Sequence, residues 1–488
     1  MVRATYHSRP ASANAKPRRV YSRPQISVIP PSNPATSQAG KGTAAGGYLY
    51  RPAMAPVSIE ERRNLARLSH RIGFGPKPGE FEELLSVGFS RTAQLLLTPP
   101  VSNSGDLVQT LGLKDLGKQP RPNTPEIVDY VEQKRFQLRT MTLWWLDEMV
   151  TQENPITERM TWFWHGHWAT SYAKVDEPIV MFNHVDTLRK NALGNFREMA
   201  KAMVLDGALI YWLDGQKNTS MAPNENLSRE LMELFILGVN RYTEDDVKQT
   251  AKALTGYKVV KNSGSISRNL RQSFTGAISF LGTSGRFDAI SLTDFLVNRR
   301  DCQRFIPERL WYRFVNSATD LPGNSTIETA FADRNILSSV QALVAHPGFI
   351  DPVNTQVKSP LDWLVSVLRA LEITPSQFER PDYLINLLNG LGQRPYFPPN
   401  VGGWPADEAW LSAASTQTRI SAAQYITKKG VLTPISKLSV AARIEGLANW
   451  LGVASWSERT KQALNGAIRD PQRLAVLGIC SPEYLVNA

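Results

Sequence analysis

The chain has 488 residues, 42% of them hydrophobic, and a formal net charge of +11. That length suffices for a large core and about two to four domains. No apolar run approaches the roughly 18–20 residues that cross a bilayer as a helix, so the reading is a soluble protein.

The positive charge is concentrated at the start. Residues 1–56 carry Arg3, Arg9, Lys16, Arg18, Arg19, Arg23, Lys41 and Arg51 and no acidic residue, which leaves +3 for everything after. A nearly neutral body argues against a nucleic-acid surface there. The basic segment suits an acidic partner or an anionic membrane surface. It is rich in Pro, Ser, Ala and Gly, and such a composition buries too little apolar surface to offset ordering. A disordered tail is expected over 1–56. It lacks the apolar stretch of a secretory signal, and Arg18-Arg19 is not followed by one, so no signal peptide is recognised.

Helix signals then follow one another. Ser58 and Glu61 have the spacing of a capping box, and Gly73–Pro76 stops the first helix. A second runs from Lys77 to Ser86 and ends at Gly88. The longest expected helix is Pro125–Gln152, with Ile127, Val131, Phe136, Leu143, Leu146 and Met149 on or near one stripe. Thr157–His165, Pro178–Leu193, Asn195–Leu205, Asn226–Leu237 and Thr243–Thr255 come next. Helices are also expected at Ser291–Asn298, Cys302–Phe314, Asp333–Ala345, Ser359–Leu371, Asp382–Leu391 and Ser439–Leu451. Strand signals are few: Tyr257–Val260 and Ser273–Leu281 read as a hairpin inserted between helices. The GxGxxG, GxxxxGK[ST] and GxSxG motifs do not occur, so phosphate-cradle and hydrolase-elbow signals are missing. Cys302 and Cys480 stand beside apolar residues and read as buried, inert thiols.

Two polar constellations interrupt this pattern. The first is Trp162-Phe-Trp-His-Gly-His-Trp168, which holds two of the six histidines. The helix is expected to break at Gly166. In an extended segment His165 and His167 point the same way and could share a divalent metal ion. In a continuous helix they diverge by about 200° and that idea fails. The alternative is an aromatic cluster whose histidines hydrogen-bond to backbone.

The second runs from Asn226 to Gly238. On a helix, Glu230 and Glu233 share a face, Arg229 can pair with Glu233, and Asn226 sits at the start. Paired carboxylates repel unless a cation, a proton or an arginine intervenes, which makes Glu230 and Glu233 candidate catalytic groups. The bundle di-metal pattern wants Glu-x-x-His, and this helix lacks that His. The competing reading is a salt-bridge network through Arg229 and Arg159.

Several segments resemble the bacterial family catalogued as domain of unknown function 1800. They are Leu68–Gly75, Arg159–Trp168, Asn191–Arg197, Pro223–Phe235, Tyr242–Val247, Ala253–Tyr257 and Pro399–Pro405, in the same order over roughly residues 60–487. The resemblance implies a mostly helical fold, and many members look exported; it names no reaction. Relatives often have His before Ala-Leu-Gly-Asn-Phe, where this chain has Asn191 and, nearby, His184.

The segment Gln393–Ser412 is a long loop dense in Pro, Gly and Trp, of the kind that carries function or covers a cleft. Trp404 and Trp410 could line a pocket for a sugar or another flat ligand, or staple the loop to the body. Three functions are therefore in view. One is a metal-dependent or acid–base enzyme built on His165, His167, Glu230 and Glu233. Another is a non-catalytic scaffold or surface-associated protein. The third is a carbohydrate-active or polymer-binding protein using Trp404, Trp410 and paired carboxylates; Arg229 and Asn226 are further binding candidates. The expected architecture is mainly α: a main helical domain over 57–414 with the β insertion near 256–281, then a C-terminal helical subdomain over 415–488.

Overall fold

In the computed structural model, residues 57–100 and 106–486 are described. The tail expected over 1–56 lies outside them. The fold is 60% helix and 4% strand, as the 3.6-residue periodicity predicts. No helix among the described residues is long and apolar enough to cross a membrane.

Local signals place many boundaries. Ser58 caps helix Ile59–Arg71 by accepting from the Glu61 amide. The second half of that capping box is absent, because Glu61 turns instead to the amide of Phe89 at 2.7 Å. Gly88, at φ 79°, separates Glu80–Val87 from Phe89–Leu96. The long helix spans Pro125–Thr151, but its buried face differs from the expected stripe. Phe136 is 58% exposed, whereas Leu138, Met141, Trp145, Leu146 and Met149 are buried. In the first half Tyr130, Lys134 and Gln137 are buried while Val128, Val131 and Phe136 stay in solvent, so the inward face there is set by polar partners rather than by the apolar stripe.

The β segment forms two hairpins rather than one. β1 (Tyr257–Val259) pairs antiparallel with β2 (Ile266–Arg268), and β3 (Ile278–Phe280) with β4 (Thr283–Gly285). The two expected strands exist but take nearer partners. Each is followed by a turn short enough to return the chain at once, so local pairing replaces the longer closure.

Two large apolar cores organise most of the helices among the described residues, with a small third one at Leu65, Ala66, Phe81 and Leu84. The first gathers Met160, Phe163, Trp164 and Trp168 with Phe196, Phe235, Phe314 and helices reaching to Phe349. The second gathers Trp145, Trp162, Phe182, Trp363, Tyr396, Trp450 and C-terminal helices reaching to Tyr484. Helix Ile156–His167 lies between them and gives side chains to both.

Both cysteines are free thiols; Cys302 is buried and Cys480 half-buried. Burial pushes each thiol up to about 12. Ellman's reagent at pH 8 should label the native protein at least about a hundredfold more slowly than a free cysteine. Both thiols should react promptly in guanidinium. Fast labelling of the native state would show that these sites open.

Candidate functional site

The helix carrying the two histidines does not break at Gly166; it continues to His167. Residues two apart on a helix point about 200° apart. His165 accordingly enters the second core, against Trp145, Trp162, Tyr396 and Trp404. His167 enters the first, against Phe163, Trp164, Trp168 and Phe235.

Each ring has one nitrogen engaged. His165 Nε2 accepts from the Tyr396 amide at 3.1 Å. His167 Nε2 meets the Phe235 carbonyl at 2.9 Å. Phe235 lies in the π-helical turn Leu231–Ile236, and its carbonyl is free because the helix ends there. The Nδ1 atoms of both rings are buried without a hydrogen-bond partner among the described residues. Burial lowers both pKa values: His165 falls well below the usual range, with His184 adding to the shift, and His167 falls to about 3, with Arg309 adding. Both rings are therefore neutral at physiological pH.

Gly166 serves close approach rather than helix breaking. The loop residue Gly403 lies on it, so that a Cβ at Gly403 would stand 2.2 Å from the Gly166 carbonyl oxygen. Trp404 stacks on Trp162, with centroids 4.7 Å apart and planes at 28°. The loop also holds three left-handed backbones, Tyr396 (φ 68°), Gly403 (φ 80°) and Asp407 (φ 55°), two of them on residues that pay steric strain for it.

Between this loop, helix Ile156–His167 and helix Arg300–Phe314 opens a cavity of about 40 Å³. Trp162, His167, Arg309, Tyr312, Arg313, Gln393 and Trp404 line it, and no carboxylate among the described residues does. Arg309 and Arg313 are four apart on one helical face, an unfavourable like-charge spacing. Arg313 is relieved by Asp362 at 3.1 Å. Among the described residues Arg309 has no acidic partner; its guanidinium stands 5.0 Å from the Tyr312 ring centroid, and burial lowers its pKa. A second cavity adjoins the first at Tyr312, Arg313 and Ala406, with Arg71, Arg159 and Lys358 facing Asp362 and Asp407. The carboxylates are thus confined to the second cavity.

The family model described as "Protein of unknown function (DUF1800)" matches residues 67–486. The chain belongs to this family. No curated protein and no solved structure matches it.

The remaining sequence candidates of this DUF1800 protein scatter. Glu233 accepts from the Tyr242 hydroxyl. Glu230 is half-buried, and burial together with Glu233 raises its pKa. Neither glutamate lines the cavity that His167 and Trp404 share. Arg229 does not pair with Glu233: its guanidinium grips Glu244 at 2.6 and 2.7 Å and reaches Glu225 at 3.4 Å. Glu244 heads the next helix and meets Arg229 head-on, which the single-helix reading could not foresee. Arg159 goes to Asp362 at 2.5 Å rather than to the glutamates. Asn226 is exposed in the first turn of its helix. Trp410 is buried outside the cavity, so the two loop tryptophans do not form one platform. At the position where relatives often have His, Asn191 donates to the Thr187 carbonyl. His184 is buried, with Nδ1 2.7 Å from Asp206. Among the described residues, no group of three or more His, Cys, Asp and Glu side chains could hold a metal ion.

Arg309, Tyr312 and Gln393 were not singled out from sequence. The signal for Arg309 was present in the i, i+4 repeat of arginine across Arg309-Leu-Trp-Tyr-Arg313.

Proposed function

We propose that this protein binds an anionic, hydroxyl-bearing ligand, an acidic sugar or a related hydroxy acid, in the cleft between Trp404 and Arg309. The observation that carries the reading is Arg309: a cation set into a cavity wall that no carboxylate lines. A ligand carboxylate there replaces the lost hydration of the guanidinium with charge-assisted hydrogen bonds. Of the His167 ring nitrogens only Nδ1 is without a partner among the described residues. That atom carries a lone pair in the neutral ring and is buried, so the ring adds an uncharged, polar wall beside the arginine. Trp404 and Tyr312 supply the flat walls on which a sugar ring packs. The enclosed space takes a carboxylate and a neighbouring hydroxyl, and the ring occupies the mouth.

Recognition, rather than acid–base catalysis, fits a His167 held near 3, because such a ring is a weak base at neutral pH. A metal-dependent reading through His165 and His167 needs both rings on one ion, and one continuous helix separates them.

Calorimetric titration with glucuronate, galacturonate and neutral glucose tests the proposal. The uronates should bind with an affinity that falls with salt, and glucose should not. Arg309→Met should weaken uronate binding by about tenfold to a hundredfold, the effect of losing one hydrogen-bonded charge. Equal binding of glucose, or an unchanged affinity in Arg309→Met, refutes the assignment.

A further inference from the structure

Positive charge in the folded body is concentrated in one stretch. Residues 247–287 hold Lys248, Lys252, Lys258, Lys261, Arg268, Arg271 and Arg286 and no acidic residue, so the rest of the chain after residue 56 carries −4. The stretch runs from within helix Glu244–Ala253 through both hairpins. The segment 215–224 adds Lys217 and again no acidic residue.

Three hydrogen bonds fasten that segment to the first hairpin. The Ser220 amide donates to the Gln272 carbonyl at 2.8 Å, and the Gly256 amide to the Asn218 carbonyl at 3.0 Å. The Lys258 ammonium donates to the Gln216 carbonyl at 2.9 Å. The loop that carries Met221 is therefore tied to the turn that carries Leu270. Met221 is 93% exposed and Leu270 70%, two of the three most exposed large apolar side chains among the described residues. Cations flank both: Lys217 in the same loop as Met221, and exposed Arg271 next to Leu270.

Little of this charge is neutralised. Lys217 pairs with Asp214 at 2.9 Å and Arg268 with Asp288 at 3.7 Å. Among the described residues the other six of these eight cations take part in no ion pair. Free cations alone suit any polyanion, and the apolar tips decide between them. At an anionic bilayer, headgroup phosphates meet the cations while Met221 and Leu270 enter the acyl boundary. A nucleic acid would leave both tips in water, and none of Tyr257, Phe274, Phe280 and Phe287 is exposed for a base to stack on.

We infer that this face, Met221 and Leu270 with the cations around them, docks on the surface of an anionic lipid bilayer. The inference is independent of the Arg309 cleft.

Co-sedimentation of the full chain with vesicles tests it, using phosphatidylcholine alone and phosphatidylcholine with about one third phosphatidylglycerol. The anionic vesicles should bind the protein at least about tenfold more tightly than the neutral ones, and salt at about 0.5 M should weaken that binding. The double variant Met221→Ser/Leu270→Ser should lose at least about tenfold in affinity for anionic vesicles. Arg271→Gln should lose about fivefold. All three side chains are exposed, so the urea midpoints of both variants should match wild type. The basic segment over 1–56 is the same in every variant, so binding that both variants leave undiminished belongs elsewhere and overturns the inference. Equal binding to neutral vesicles overturns it too. A short DNA duplex that binds wild type and the double variant alike, and more tightly than the anionic vesicles bind wild type, makes the face a nucleic-acid surface instead.

Discussion

Asp362→Ala is expected to lower the unfolding free energy by about 3–5 kcal/mol, the range for removing one partner of a buried ion pair. Asp362 accepts from Arg159 at 2.5 Å, Arg313 at 3.1 Å and Ser359 at 2.7 Å. It sits in the first turn of helix Pro360–Ala370, where a negative charge also suits the helix dipole. Arg159 is buried, and its other donors reach the carbonyls of Gly73 and His70 at the end of the first helix. One carboxylate thus ties together helices from three distant parts of the chain. Without it, Arg159 remains buried with no counter-charge.

The same residue sets an acid limit. Burial alone would raise the Asp362 pKa; Arg159, Arg313 and Ser359 outweigh it and hold the carboxyl at about 2, below its ordinary 3.8. A depressed folded-state pKa contributes stability that is complete above the unfolded value and lost as pH falls through the folded one. Wild type should therefore lose on the order of 2 kcal/mol from this group between about pH 4 and pH 2. Asp362→Asn should lack that component. Urea unfolding at pH 7, 4 and 2.5 measures both effects. A wild type that loses stability no faster than Asp362→Asn over this range would show that the pair does not set the limit.

Gly403→Ala is expected to detach the Trp404 loop and to destabilise the protein by about 2–4 kcal/mol, combining left-handed strain with a backbone overlap. The new methyl would stand 2.2 Å from the Gly166 oxygen, and that oxygen belongs to a helix that cannot retreat. On either side of Gly403, Val401 packs on the first core and Trp404 on the second, so a shift here loosens the loop from both. The consequence for function follows directly. Trp404 and Gly402 line the Arg309 cavity, so uronate binding should fall together with stability. Gly402→Ala is the control for stability alone: its Cβ would meet only the Asn400 side-chain oxygen, at 3.2 Å. A Gly403→Ala protein with wild-type stability and unchanged exchange of the loop amides would refute this account of the packing.

Much of the helical frame was legible because it is local. Ser58 as a cap, Gly88 as a stop and the 3.6-residue spacing each act within a few residues, and each reappears in the fold. The misreadings share one cause: a residue's partner lay far away in sequence. Glu61 had Ser58 at capping distance yet bonds Phe89. Arg229 had Glu233 one turn away yet grips Glu244. Gly166 looked like a helix breaker because its other use, bare backbone beneath Gly403, depends on a loop more than 200 residues downstream.

The sequence by itself determined the helical class, the family and the pair of histidines set among aromatic side chains. It could not decide where those histidines point. Two rings at i and i+2 meet or diverge according to whether the helix continues through Gly166, and packing of the loop settles that. The cleft likewise draws His167, Arg309 and Trp404 from three distant segments. Hydrophobic periodicity fixes which face of each helix turns inward. Only the simultaneous packing of all the helices decides which inward faces meet.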